Sequence, residues 1–247
     1  VGEPTNYVEF KQQGLLEKYV SPEAKTINAI YKDKDGYYCG ARIVGLGIAY
    51  NTNNVKGKDI PKDWSDLLNP KFKGFLGMTD PAFSGTTLYT VAAFVQSPKY
   101  GYDFLKALKA NDIKLVQGSS DSVTKVGSGE WDMSIAVDYI AKDQMGQGSP
   151  VGFVYPAGGA SIVASPIAIV KGTKNLEAAK ILYDYVLSLD GQKVLVEAYT
   201  IPIRTEIKLP DVDLGKLLAN ALPVDDYKLV AEKDDMLDKF VEIMRKK

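Results

Sequence analysis

The chain has 247 residues, 45% of them apolar and 25% charged, with 30 Lys plus Arg balanced by 31 Asp plus Glu. This composition suits one large or two smaller globular domains with a sizeable core, and the near-zero charge excludes a chain-wide basic field that would recruit nucleic acid. Histidine is absent, which excludes Ser-His-Asp and Cys-His nucleophile systems and His-ligated zinc.

A single cysteine, Cys39, leaves no internal disulfide. No stretch reaches the roughly 18 consecutive apolar residues of a membrane-spanning helix. The chain opens with Val1 rather than Met, so either a leader has been removed or the sequence begins inside a longer protein.

In chain order, Val1 to Glu3 reads as the tail of a strand. Thr5 or Asn6 then caps a helix over Tyr7–Gln13, which Gly14 ends. Ser21-Pro22-Glu23-Ala24 starts a short helix with Pro at its first position. Lys32-Asp33-Lys34-Asp35-Gly36 is a charged turn, and Tyr37 to Tyr50 is extended. Gly45-Leu46-Gly47 within it lacks the third Gly and the following helix of a dinucleotide fingerprint. Trp64 to Leu68 is a helical turn closed by Asn69-Pro70.

The central stretch is Asp80-Pro81-Ala82-Phe83-Ser84-Gly85-Thr86-Thr87, placed between an apolar strand (Gly74–Met78) and a helix (Leu88–Gln96). Small hydroxyl residues and a Gly at a strand-to-helix turn leave the first helical N–H groups uncovered, and with the helix dipole these make a seat for an anion. The other reading is that Ser84 or Thr86 only caps its own helix.

A second amphipathic helix is expected over Tyr100–Lys109, with a strand at Ile113–Val116. Gly118 to Ser122 reads as another small polar loop, opening a helix over Val123–Gly127. Met133 to Val137 is an apolar strand ending at Asp138-Tyr139, and Val151 to Tyr155 is a further strand. Ala160 to Val170 is extended, and here Ile162-Val163 and Ile167-Ala168 echo the spacing of Ile43-Val44 and Ile48-Ala49. Helices follow at Leu176–Leu187, Gly191–Ala198, Leu214–Leu222 and Asp234–Lys247, with Thr200–Arg204 extended and Arg245-Lys246-Lys247 facing the dipole of the last helix. Strands alternate with helices, so the class is α/β.

Pro61-Lys62-Asp63-Trp64-Ser65-Asp66-Leu67-Leu68-Asn69-Pro70, followed by Asp80-Pro81-x-x-Ser84-Gly85-Thr86, resembles the extracytoplasmic solute-binding proteins of ABC importers. Within that family the likeness is to the branch serving ferric iron, phosphonates and sugar phosphates. Gly14-Leu15-Leu16-Glu17-x-Tyr19, Ala49-Tyr50-Asn51-Thr52, Gly127-Ser128-Gly129-Glu130 and Ser165-Pro166-Ile167-Ala168 add to it. The resemblance implies a two-lobed type II periplasmic-binding-protein fold with two hinge strands, closing on a ligand between the lobes. It places lobe one at 1–49 and 161–209, lobe two at 50–160, and C-terminal helices (210–247) packing across the lobes. Members carry additional strands and helices before the point matching Val1, so the N-terminal part of lobe one is expected to be missing here.

The resemblance also assigns a site. Ser84, Gly85, Thr86 and Thr87 match the loop that holds an anion through backbone N–H groups. Ser119 and Ser120 match a second polar loop, with capping as the alternative. Iron-binding relatives carry two adjacent tyrosines where this chain has Asp138-Tyr139, so only Tyr139 remains, and ferric coordination loses a phenolate. Asp138 either bonds a ligand hydroxyl or ammonium or accepts from nearby backbone. Glu3, with Thr5 beside it, stands near the place of an iron-ligand Glu, or else favours the helix after it. Arg42 either meets an anionic ligand or forms a structural ion pair. No cofactor and no resident metal are expected.

The function implied is capture of a phosphonate or phosphorylated solute for a permease and its ATPase, as a monomer, periplasmic or outside the cell. Membrane contact would come only through a lipid anchor. A ferric carrier is the alternative, followed by a sensor module or an enzyme acting through Asp138, Lys125 or Tyr139.

Overall fold

The computed structural model describes residues 2–245. Val1 of the expected first strand and Lys246 and Lys247 of the closing basic run lie outside the described residues. Among these, the helices are α1 (Pro4–Gln12), α2 (Gly85–Gln96), α3 (Gly101–Ala110), α4 (Ser119–Gly127), α5 (Asp138–Gly146), α6 (Leu176–Leu187), α7 (Leu189–Glu197), α8 (Leu214–Ala219) and α9 (Asp226–Arg245). The strands are β1 (Leu16–Glu17), β2 (Tyr38–Asn51), β3 (Leu76–Thr79), β4 (Lys114–Val116), β5 (Met133–Val137), β6 (Val151–Val154), β7 (Ser161–Val170) and β8 (Ile201–Pro202). Short 3-10 turns include Pro22–Thr26, capped by the Ser21 side chain, and Trp64–Leu68, whose Asp63 and Asp66 form a reciprocal capping box.

The described chain divides into two compact units. The first runs up to Val44 and adds Val163–Leu214 and Asp226–Ala231; the second comprises Gly45–Ile162, Gly215–Asp225 and the residues from Glu232. The chain passes from unit to unit within β2 and within β7, at the two places where the Ile-Val echo occurs. The residues after 209 are shared between the units rather than forming a separate group.

In the first unit β1 pairs antiparallel with β7, Leu16 opposite Val170, and the first half of β2 pairs with β8, Arg42 opposite Pro202. Gln192 on α7 is fully buried, and its amide donates to the Ala41 carbonyl (2.7 Å) while its oxygen accepts from the Ile203 N–H (2.7 Å). A buried amide lacking these partners would carry a desolvation penalty, so Gln192 fixes where β8 lies on β2. Arg204 is held by Glu23 (3.0 Å), Glu206 (2.7 Å) and the Leu187 carbonyl (3.1 Å).

The second unit has the parallel run β4, β3, β5, continued by the antiparallel second half of β2 and then β6. All four residues of β3 and all five of β5 are buried, as expected of strands covered on both faces. Gly77 in β3 lies directly against the Trp131 ring, which fills the space a side chain there would need. Beyond the sheet, Phe94 of α2 packs edge-on to Trp64 (5.0 Å between centroids) and Phe104 (4.9 Å).

Three expectations from sequence are corrected. Gly2-Glu3 form no strand: Glu3 is the extended N-cap (φ −87°, ψ 154°) of a helix beginning at Pro4, whose ring presets the first helical φ. Ser119 to Ser122 belong to α4 itself, not to a loop before it. The last helix begins at Asp226, eight residues before the expected Asp234; its first two turns bury only Leu229, so the sequence shows little apolar stripe there.

Candidate ligand-binding site

Three parallel strands of the second unit, β3, β4 and β5, each run into the N-terminus of a helix: α2, α4 and α5. In open α/β sheets this edge, beyond the carboxyl ends of the strands, is where ligands are received. The Asp80–Phe83 turn leads from β3 to α2. The Asp80 N–H donates to the Val116 carbonyl at the end of β4 (2.8 Å), and Asp80 accepts from Phe83 N–H through its carbonyl (3.0 Å) and from Ala82 N–H through its side chain (2.9 Å). Ser84 then stands at the N-cap in extended conformation (φ −138°, ψ 111°).

The Ser84 hydroxyl is the centre of a cluster. Its Oγ accepts from Thr87 N–H (3.3 Å) and Thr87 Oγ1 (3.1 Å), and it lies 3.1 Å from Thr86 Oγ1 and 3.3 Å from Ser119 Oγ. Ser84, Gly85, Thr86 and Ser119 are half-buried, Thr87 is buried and Ser120 is exposed. Helix geometry gives the Gly85 and Thr86 N–H groups no acceptor within α2. Capping and clustering therefore coexist at Ser84, and the two sequence readings of this residue are compatible.

The three helix starts differ in charge. α4 has Asp121 in its first turn and α5 has Asp138, whereas α2 has no acidic residue there. A carboxylate already satisfies the positive end of a helix, so α2 is the best of the three for an outside anion.

Asp138 is 1% exposed, and its carboxylate accepts from the Tyr155 hydroxyl (2.8 Å), Gly45 N–H (3.0 Å) and Tyr139 N–H (2.7 Å). Burial pushes its pKa up to about 6, against the opposing effect of these donors and of Lys142. Tyr155 in turn is raised far above the usual phenol range by burial and by the neighbouring Asp138. A side chain at Gly45 would occupy the place of the Tyr155 ring and the Asp138 carboxylate, so that glycine is what lets Asp138 reach the β2 backbone. Of the two sequence readings, Asp138 accepts from nearby backbone. Tyr139 is half-buried beside it, at the start of α5.

Glu3 and Thr5 lie in the first unit. The Glu3 carboxylate accepts from the Asn6 amide (3.1 Å), and Thr5 is buried. Glu3 thus supports the start of α1. Among the described residues no three His, Cys, Asp or Glu side chains stand together as a metal cluster. Sequence reasoning misses Tyr155: it reads only as a strand end, and nothing local marks it as the partner of a residue 17 positions earlier.

The sequence pattern of the bacterial extracellular solute-binding proteins matches residues 4–223. This chain belongs to that family. Among the solute-binding proteins similar to it is a probable ABC transporter periplasmic-binding protein, y4fP, of Sinorhizobium fredii, 24% identical over 95% of this chain and 69% of the relative. A putative 2-aminoethylphosphonate-binding periplasmic protein of Salmonella typhimurium is 29% identical over 82% of this chain and 62% of its own length. An uncharacterised protein of Haemophilus influenzae is 30% identical over 73% of this chain. The chain spans 55% of that relative's length.

Among solved structures, the periplasmic binding protein AfuA from Actinobacillus pleuropneumoniae, with exogenous fructose-6-phosphate bound, superposes with a TM-score of 0.86. It is 27% identical, and the match covers 99% of this chain and 81% of AfuA. Iron-bound HitA from Pseudomonas aeruginosa (TM-score 0.81, 22% identity, 98% and 81% covered) shares the fold. The fold is that of the type II periplasmic binding proteins, and the solute-binding family and these neighbours are binding proteins rather than enzymes.

Proposed function

We propose that this chain is the solute-binding component of an ABC importer and that it holds the phosphate or phosphonate of a small solute at the N-terminus of α2. The observation that carries this reading is the pairing of free first-turn N–H groups with the Ser84, Thr86, Thr87 and Ser119 hydroxyls, at a helix start that has no carboxylate of its own. Bonds from N–H and O–H donors to a charged oxygen are about twice as strong as neutral ones. A phosphoryl group offers several such acceptors. The relatives named for 2-aminoethylphosphonate binding and the fructose-6-phosphate complex point to the same chemistry.

The protein breaks no bond in this role. It works outside the cytoplasm, delivers its solute to a permease driven by an ATPase, and meets a membrane through that permease or through a lipid anchor. Ferric transport is disfavoured, because Asp138 and Glu3 already accept internal hydrogen bonds and Tyr139 would be left as a lone phenolate.

Differential scanning fluorimetry tests the reading, since a ligand that binds only the folded chain raises its melting temperature. The panel is 2-aminoethylphosphonate, fructose 6-phosphate, inorganic phosphate, putrescine and ferric citrate. A rise confined to the phosphorus compounds supports the proposal. A rise with putrescine or ferric citrate alone overturns it.

A further inference from the structure

The Asp80 side chain has a second bond that joins the ligand loop to the other end of the chain. Its Oδ1 organises the turn by accepting from Ala82 N–H (2.9 Å), while its Oδ2 accepts from the guanidinium of Arg245, in the last turn of α9. The Asp80 side chain is only 6% exposed, whereas Arg245 is 47% exposed. The end of α9 is itself fixed. Phe240 and Met244 are buried, the Lys239 ammonium sits over the Tyr102 ring (4.6 Å), and Lys109 donates to the Met244 carbonyl (2.6 Å). All of these residues belong to the second unit.

An exposed ion pair contributes little, because solvent already stabilises both charges. Asp80 does not have that solvent. A carboxylate shielded from water depends on its cation, and loss of the partner leaves a buried charge that rearranges to find another donor. The other donor to its side chain, the Ala82 N–H, belongs to the turn that delivers Ser84.

Resting on the phosphate reading above, we infer that Arg245 is a positioning residue for the anion site: it holds the Asp80 carboxylate in the geometry that sets the Ser84 cap. It touches no ligand. Its effect passes through Asp80, the Ala82 N–H and the Ser84 hydroxyl to the α2 N-terminus.

The test uses the full chain and its Arg245→Ala, Arg245→Lys and Asp80→Asn variants, with Lys114→Ala as a control that removes a different ion pair of the same unit. Amide hydrogen exchange at Ala82 and Thr87 reads the loop directly. Calorimetric titration with 2-aminoethylphosphonate and fructose 6-phosphate reads the site. Arg245→Ala should speed exchange at both amides and weaken binding by about tenfold. Arg245→Lys should recover most of both effects, and Asp80→Asn combined with Arg245→Ala should be no worse than either alone. The control should change neither.

Unchanged exchange at Ala82 and Thr87 in Arg245→Ala overturns the inference, as does faster exchange with undiminished affinity. If the unmodified chain binds none of the phosphorus compounds, the phosphate reading fails instead, and the exchange data still decide whether Arg245 sets the loop.

Discussion

The hydroxyls of Ser84 and Ser119 lie 3.3 Å apart although they begin two different helices, α2 and α4, separated by 35 positions in sequence. The pairing follows from strand order. β3 and β4 are adjacent and parallel, with Thr79 opposite Val116, so the turns leaving them emerge side by side. Removing the Ser84 hydroxyl therefore affects a cap and a cluster together. Ser84→Ala should destabilise the chain by about 1 kcal/mol, the usual cost of a lost N-cap, and lower the melting temperature by about 2–4 °C. Ser119→Ala, which is not a cap, should weaken phosphonate binding with little change in melting temperature. An equal thermal loss in both variants contradicts this division of roles.

Gly85→Pro separates the backbone donor from the helix. Gly85 is the first residue of α2, a position that suits proline, and Ser84 before it already has the extended conformation that a following proline requires. The variant should keep its circular dichroism spectrum and melting temperature while losing one N–H from the proposed anion seat. Affinity for 2-aminoethylphosphonate should fall by about tenfold or more. Retained affinity, measured by titration calorimetry, removes the Gly85 N–H from the site.

Asp138 gives a pH signature. Its pKa in the folded chain is raised to about 6 from an ordinary value of 3.8, first of all by burial. The folded state then binds the proton more tightly than the unfolded state. Its contribution to stability is fully present below the unfolded pKa and is lost as pH rises through about 6. Paired carboxylates with lowered pKa, such as Asp63 and Glu206, act in the opposite direction. The comparison must therefore be between the wild type and Asp138→Asn. Urea unfolding at pH 4.5 and pH 7 should show the wild type losing ground to the variant as pH rises. Identical slopes in the two proteins would show that Asp138 does not titrate as described.

Gly77 is a prediction about packing alone. The Trp131 ring occupies the space beside it, and Trp131 is only 4% exposed, so it has little room to withdraw. Gly77→Ala should cost about 1–3 kcal/mol through overpacking, seen as a lower urea midpoint at unchanged m-value. An unchanged midpoint means that the ring can move aside.

Much of the fold was legible because its signals are local. Leu176–Leu187 carries apolar residues at helical spacing, and the strand Met133–Val137 is continuously apolar. The Pro4 start of α1 was misread because the Gly-Glu before it resembled a strand end, while the decisive feature was the proline itself. Ser119 and Ser120 were read as loop because hydroxyl residues favour caps and turns. They nonetheless start α4, where Gly118 holds the N-cap position without any side-chain bond. At the candidate site, the hydroxyl run after Asp80 could be seen in sequence, but its convergence with Ser119 could not, since that depends on strand pairing. The commitment of Asp138 to Tyr155 and Gly45 was hidden for the same reason.

The hydroxyl cluster at Ser84 has a consequence for selectivity. The Thr86, Thr87 and Ser119 hydroxyls already bond the Ser84 Oγ, so an incoming group must replace each contact it disrupts. A neutral carbonyl or hydroxyl would exchange one ordinary bond for another and gain almost nothing. Only an acceptor with full negative charge improves on the bonds it displaces. Each Ser or Thr proton can also rotate to face the newcomer without moving a heavy atom. Discrimination at this seat would then rest on charge rather than on shape, with the rest of the solute left to be recognised elsewhere.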